Sequence, residues 1–325
     1  MTTNANNLRC PLCGNAAEIL SEAHPGYAEP SEFAIAECCY CDVQFCEPRT
    51  ADSKVYENIY SSAATLPGYS RYAWYAREVK RRSDPLGWLR KQEAMYAFIA
   101  SELNARGGPT KFKSVVEIGS GLGYLTFALH KAGYDVRGFE LSQAAVDTAS
   151  SRFGDLYQAC DVTQLQGSVK ADALIMTEVI EHVSDPCELL KAIHGMLQPG
   201  GIALITTPNK SAAPKSAYWA TDNPPVHLWW FSETSMRRMA ETAALRISFA
   251  PVASRVCRPA WPPYFDATGR QTSPSALVRT LLRSAPVTML RLIAVLRGYR
   301  QRATQRGALR ETPPTMCAVL QKRDS

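Results

Sequence analysis

The chain has 325 residues, 46% of them hydrophobic, and a net charge of +6, enough for about two domains with cores of ordinary size. No apolar run reaches the roughly 18 residues of a spanning helix, and residues 1–7 lack the basic-then-apolar pattern of an export signal, so a cytoplasmic protein is expected. Without export, the ten cysteines point to metal rather than to disulfides.

The first fifty residues carry Cys10, Cys13, Cys38 and Cys41 in a C-x2-C-x24-C-x2-C arrangement. Two tight turns that each present a pair of thiolates suit one tetrahedral Zn2+, and four cysteines leave no open position, so the ion is expected to be structural. A module this small needs the metal to fold, because its apolar area is insufficient. Cys39 and Cys46 are spare, and Cys39 competes with Cys38 as a ligand. Residues 51–110 follow as a helical segment dense in aromatics, ended by Arg106-Gly107-Gly108-Pro109. Tyr96, Ile99 and Leu103 fit one helix face, which predicts a cap on the next domain; Tyr69, Tyr72 and Trp74 are candidates for a substrate wall.

From residue 111 the pattern alternates. Strands are expected near 114–118, 134–139, 155–159, 172–177 and 202–207, with helices near 122–132, 142–152 and 186–197. Right-handed crossovers make this an α/β, doubly wound, mostly parallel sheet. A helix capped by Ser232 and a strand over 245–252 come next, and residues 315–320 form an apolar last strand after a basic insertion at about 255–312.

The chemistry starts at Val115-Val116-Glu117-Ile118-Gly119-Ser120-Gly121-Leu122-Gly123, a buried strand running into alternating glycines. Glycine permits positive φ and close approach of a ligand to the backbone, and the helix start offers free N–H groups. Glu140 lies 23 residues beyond Glu117, near the spacing that sets an acid against ribose hydroxyls. A dinucleotide turn needs glycine where Tyr124 stands.

This E-x-G-x-G-x-G turn resembles motif I of the class I S-adenosylmethionine-dependent methyltransferases. Gly138-Phe139-Glu140-Leu141-Ser142, Ala159-Cys160-Asp161-Val162, residues 173–178 and residues 197–209 resemble that family's later motifs, in its order. The resemblance implies a seven-stranded Rossmann-like sheet with an antiparallel last strand, preceded here by the zinc ribbon. It further implies that Glu117, Gly119, Ser120, Gly121 and Gly123 hold the methionine part of the donor. Glu140 would take the ribose and Asp161 the adenine amine, with Leu141 and Val162 flanking the ring and Thr177, on the fourth strand, a further donor-binding residue.

Glu178-Val179-Ile180-Glu181-His182-Val183 follows that strand at the carboxyl edge of the sheet, where such folds bind ligands. It resembles the ubiquinone-biosynthesis O-methyltransferases and, more remotely, small-RNA 2′-O-methyltransferases, which implies a divalent metal such as Mg2+ on Glu178, Glu181 and His182, with His227 a further ligand. The i, i+3, i+4 spacing would put the first three on one face of a helical turn. A metal-free base at His182 or His227, or packing roles, remain alternatives.

The expected function is methyl transfer to a hydroxyl of a small-molecule, sugar or lipid-linked acceptor. Two alternatives are an RNA methyltransferase using the zinc module, and a non-catalytic zinc-binding adaptor. Nine arginines and no lysine or acid lie between Ala267 and Arg310, among apolar residues that fit short amphipathic helices. Residues 275–300 are therefore a candidate peripheral membrane contact, or less readily a nucleic-acid contact; a cap whose arginines are merely solvated is the plain reading.

Overall fold

The computed structural model describes residues 8–27, 32–50, 53–62, 69–165, 167–212, 223–250 and 315–322. The arginine-rich insertion, with its candidate membrane contact, lies outside them.

Strands β1 (Glu18–Pro25), β2 (Glu32–Cys38) and β3 (Val43–Glu47) form an antiparallel meander behind the first cysteine pair. Five helices follow: α1 (Ser53–Ser62), α2 (Ser70–Glu78), α3 (Pro85–Leu89), α4 (Ala94–Ala105) and α5 (Gly108–Lys111). The main sheet then alternates β4 (Val115–Ile118), α6 (Tyr124–Lys131), β5 (Val136–Glu140), α7 (Gln143–Phe153), β6 (Tyr157–Ala159), β7 (Ala171–Thr177), α8 (Pro186–Met196) and β8 (Leu197–Pro208). After β9 (Trp229–Phe231) come α9 (Glu233–Thr242), β10 (Leu245–Phe249) and β11 (Thr315–Lys322).

The seven-stranded sheet has the order β10-β11-β8-β7-β4-β5-β6. β11 runs antiparallel to both of its neighbours, and the other ladders are parallel. This is the doubly wound, Rossmann-like architecture expected from the sequence. Strands buried on both faces need continuous apolar runs, and Ala173 to Met176 and Ile202 to Ile205 supply them. Successive residues point to opposite faces. Leu174, Met176, Ala203 and Ile205 thus join one core with α8 and α9, while Ala173, Ile175, Ile202 and Leu204 join another with α4 and α6. Tyr96, Ile99 and Leu103 are buried in the second core, so α4 is the cap the periodicity predicted.

Helix starts are fixed by local chemistry. Ser142 Oγ accepts Ala145 N–H at 3.3 Å, Asp185 Oδ1 accepts the N–H groups of Cys187 and Glu188 at 2.9 Å, and Ser232 Oγ accepts Ser235 N–H at 3.2 Å. Each satisfies amide groups that the first helical turn leaves open.

The N-terminal sheet is not self-contained. Its order is β1-β2-β3-β9, so its fourth strand comes from the far side of the chain, just before α9. The hydrophobic cluster of Ile35, Val43 and Phe45 is accordingly continuous with Leu228, Trp229, Phe231 and the underside of the main sheet. Among the described residues no helix is long and apolar enough to cross a membrane.

Candidate functional site

The turn after β4 places all three alternating glycines at positive φ: Gly119 at 71°, Gly121 at 49° and Gly123 at 78°. Two are also forced by space. A Cβ on Gly119 would lie 2.5 Å from Val179 Cγ2, and one on Gly123 would lie 2.7 Å from Ala149 Cβ. The Gly119 contact brings the segment after β7 directly against the turn. Ser120 Oγ is buried with no hydrogen-bond partner among the described residues, a hydroxyl left over for a ligand.

Glu140 closes this turn from the end of β5. One carboxylate oxygen accepts the N–H groups of Leu141 and Ser142 at 2.9 and 3.2 Å; the other accepts Gly121 N–H at 2.9 Å and the Tyr60 hydroxyl at 3.4 Å. Tyr60 belongs to α1, and its ring lies 3.5 Å from where a Gly121 Cβ would stand. Leu141 is 69% exposed beside it. Asp161 is exposed and accepts the amide and hydroxyl of Thr163 at 2.9 and 2.8 Å, capping the 3-10 turn Val162–Leu165. Val162, at the start of that turn, is half-buried and packs against the main core.

Glu117 is 2% exposed and accepts a hydrogen bond from Thr126 Oγ1. Burial pushes its carboxyl up to about 8, against the opposing effect of the Thr126 hydrogen bonds.

Across the turn stands a second cluster. Glu181, His182 and His227 each bring a ligating atom to within 4.8 Å of the others. Glu181 is 1% exposed, and its Oε2 accepts the Thr207 hydroxyl at 2.9 Å. His182 Nδ1 lies 2.5 Å from Val226 O; a carbonyl only accepts, so Nδ1 carries the proton and Nε2 presents a lone pair. The same carbonyl accepts the Tyr56 hydroxyl at 2.9 Å, and the Tyr56 ring meets His182 edge-on at 5.7 Å. The His182 and His227 rings are 4.7 Å apart. Burial lowers both imidazoles to about 3, His182 also through the proximity of His227, so both are neutral at ordinary pH.

Glu178 departs from the expected common face. Its φ is 53°, in the left-handed region, and only Ile180–His182 form the 3-10 turn. Its Oε1 accepts the Thr206 hydroxyl at 3.0 Å, and it falls outside the three-residue ligating group. The strand end at Thr177 breaks the helical spacing that the i, i+3, i+4 pattern assumed. What remains is one carboxylate and two neutral imidazoles, a donor set that fits a divalent transition metal.

The four cysteines also come together. The ligating atoms of Cys10, Cys13, Cys38 and Cys41 lie within 4.8 Å of one another, with Cys13 Sγ and Cys38 Sγ 3.7 Å apart. Zn–S bonds of about 2.3 Å in a tetrahedron give sulfur separations of about 3.8 Å, so the cradle fits zinc. Burial holds the Cys10 thiol up at about 12, so metal binding here must expel protons. Cys39 is exposed and outside the group; Cys46 is buried on β3, its thiol donating to Pro48 O at 3.5 Å.

Among the candidate wall residues, Tyr72 stacks on Tyr124 at 6.4 Å beside the glycine turn, while Trp74 turns toward Trp88 at 5.3 Å. Tyr56 and Tyr60 carried no role in the sequence reading. Their i, i+4 spacing on α1 is the signal that could have found them: one helix face reaches both clusters.

Residues 91–247 match the family model of a methyltransferase domain. The chain is 30% identical over 114 residues to the ubiquinone biosynthesis O-methyltransferase of Caulobacter vibrioides, covering 33% of this chain and 45% of that protein. It is 27% identical over 180 residues to the one of Bordetella avium, covering 53% and 70%. The chain spans about half the length of most of the curated relatives it matches. Among solved structures, an S-adenosylmethionine-dependent methyltransferase from Archaeoglobus fulgidus superposes with a TM-score of 0.44 at 14% identity, covering 71% of this chain and 95% of that one.

Proposed function

We propose that residues 91–247 form a class I S-adenosylmethionine-dependent methyltransferase domain and that the chain methylates a hydroxyl of a small-molecule, sugar or lipid-linked acceptor. The observation that carries this reading is the Glu181, His182 and His227 cluster, set at the carboxyl edge of the sheet next to the turn that Val179 packs against. The name shared by the curated relatives supports oxygen as the nucleophile.

S-Adenosylmethionine supplies a methyl group on a sulfonium, so the protein's task is alignment of an oxygen in line with it. Glu140 would take the ribose hydroxyls in place of the Tyr60 hydroxyl, with the bare Leu141 side chain and Asp161 serving the adenine. Ser120, Glu117 and the glycine backbone remain for the methionine end.

On the acceptor side, a divalent cation on Glu181, His182 Nε2 and His227 would add the positive charge that eases loss of the hydroxyl proton. Val226 O fixes the His182 tautomer, and Thr207 orients Glu181, so both side chains are pre-set for an incoming group. Glu178, held by Thr206, faces the donor side of the same edge in this reading. Zinc at the four cysteines is structural.

Elemental analysis of the wild type and of His227→Ala tests the arrangement. Two bound metals per chain are expected in the first and one in the second, together with transfer of label from the donor to hydroxyl-bearing acceptors in the wild type only. Full turnover in both Glu181→Ala and His182→Ala, with unchanged metal content, would sink it.

A further inference from the structure

The cysteine-bearing sheet and the acceptor-side cluster share a strand. β9 pairs Trp229, Trp230 and Phe231 with Phe45, Gln44 and Val43 of β3, and it begins two residues after His227. Leu228 sits at the junction. Its N–H donates to Glu181 O at 2.8 Å, and its carbonyl accepts Cys46 N–H at 3.0 Å. One residue's backbone therefore ties β3 to the turn bearing Glu181 and His182, and the residue before it is His227. Trp229 Nε1 donates to Val183 O at 2.8 Å, gripping the other end of that turn.

More contacts clamp the two parts together beside the metal cradle. Lys210, just beyond β8, pairs with Glu37 of β2 at 2.7 Å and with Asp42 at 2.5 Å, and Asp42 follows Cys41 directly. Lys210 is largely buried, with 13% of its side chain exposed. Ser232 Oγ donates to Asp42 O at 2.7 Å, and Tyr27 N–H donates to Pro224 O at 2.6 Å. By contrast, the glycine turn is held by Phe139 O, Glu140 and the Tyr157 hydroxyl, all within the main domain.

We propose that the four-cysteine site is a positioning site for the acceptor-side cluster: metal at Cys10, Cys13, Cys38 and Cys41 fixes the β2–β3 hairpin, the hairpin fixes β9, and β9 fixes His227 and the Glu181–His182 turn. The inference rests on reading that cluster as the acceptor site. Cys38 and Cys41 flank the turn between β2 and β3, so a metal that joins them to Cys10 and Cys13 orders that hairpin, and the order passes along the ladder to β9. The donor side, with its own supports, does not share it.

The test uses the full chain as wild type and as Cys13→Ser, Cys13 being the exposed member of the four. Carbethoxylation of each histidine is followed by peptide mass analysis, with exposed His130 as the internal standard, alongside zinc content and calorimetric donor affinity. In Cys13→Ser, His227 and His182 should react at least tenfold faster relative to His130, while donor affinity changes less than threefold and turnover falls at least a hundredfold. Unchanged histidine protection in a zinc-free chain overturns the proposal. If Cys13→Ser also loses donor binding through general unfolding, metal-stripped wild type decides: exposure of His227 that reverses on return of one equivalent of zinc supports the proposal, whereas wild-type protection in the stripped chain overturns it. Exposure with full turnover supports the positioning and removes instead the reading of the cluster as the acceptor site.

Discussion

The donor side is assembled almost entirely from residues 117–161, a continuous run from β4 to just past β6 with Tyr60 added from α1, whereas the acceptor side draws Tyr56, Glu181, His182, Val226 and His227 from three distant stretches. In the first, each functional group sits at the end of the element that precedes it in sequence, so local geometry holds it. In the second, each group is held by a partner from elsewhere: His182 by Val226, Glu181 by Thr207 and Leu228, His227 by the strand that joins a cysteine-bearing sheet. Damage should therefore stay local on the donor side and spread on the acceptor side.

The sharpest break would come at the acceptor cluster. Glu181→Gln and His182→Ala should each lower kcat by about 10²–10⁴-fold, the range for loss of a positioned acid, base or ligand. Donor affinity measured by calorimetry should stay within threefold in both, since neither residue touches the glycine turn.

Gly119→Ala attacks the contact where the two sides meet. A methyl group at positive φ, 2.5 Å from Val179 Cγ2, should cost roughly 2–4 kcal/mol of stability from backbone strain plus overlap. Urea unfolding would read this as a lowered midpoint, and Val179→Ala in the same chain should restore part of it. No recovery would mean that the two sides are not packed as described.

Glu117 gives the donor side a pH signature of its own. Its carboxyl titrates near 4.5 in the unfolded chain and near 8 in the fold, so the folded state holds a proton that the unfolded state loses between those values. Its contribution is fully present below 4.5 and is lost as pH rises to 8, on the order of 5 kcal/mol. Ligand-free protein should lose stability over that window, and Glu117→Gln should flatten the slope. A slope equal to the wild type would show that another group sets it.

The smallest effect is expected at Tyr60→Phe. Removing the hydroxyl that shares Glu140 with Gly121 should leave stability nearly unchanged and tighten donor binding by about threefold or less, the scale of one weak hydrogen bond. Weakened binding would assign Tyr60 to the donor itself.

Much of this could be read from the chain alone. The succession of strands and helices along the main domain, the positive-φ glycines, Glu140 at the end of β5, the Ser232 cap and the four-cysteine set follow from patterns confined to a few residues each. Each depends on geometry fixed within one or two peptide units, so spacing in sequence is spacing in space. The helical face assumed for Glu178, Glu181 and His182 failed because a strand end and a left-handed residue stand inside the pattern, and periodicity does not count those. That Tyr60 covers Glu140 and that β9 completes the N-terminal sheet were decided only by tertiary packing. A backbone N–H or carbonyl has no side-chain signature, so which of them pair across 180 residues, as Cys46 and Leu228 do, is settled by the cores that bring the strands together.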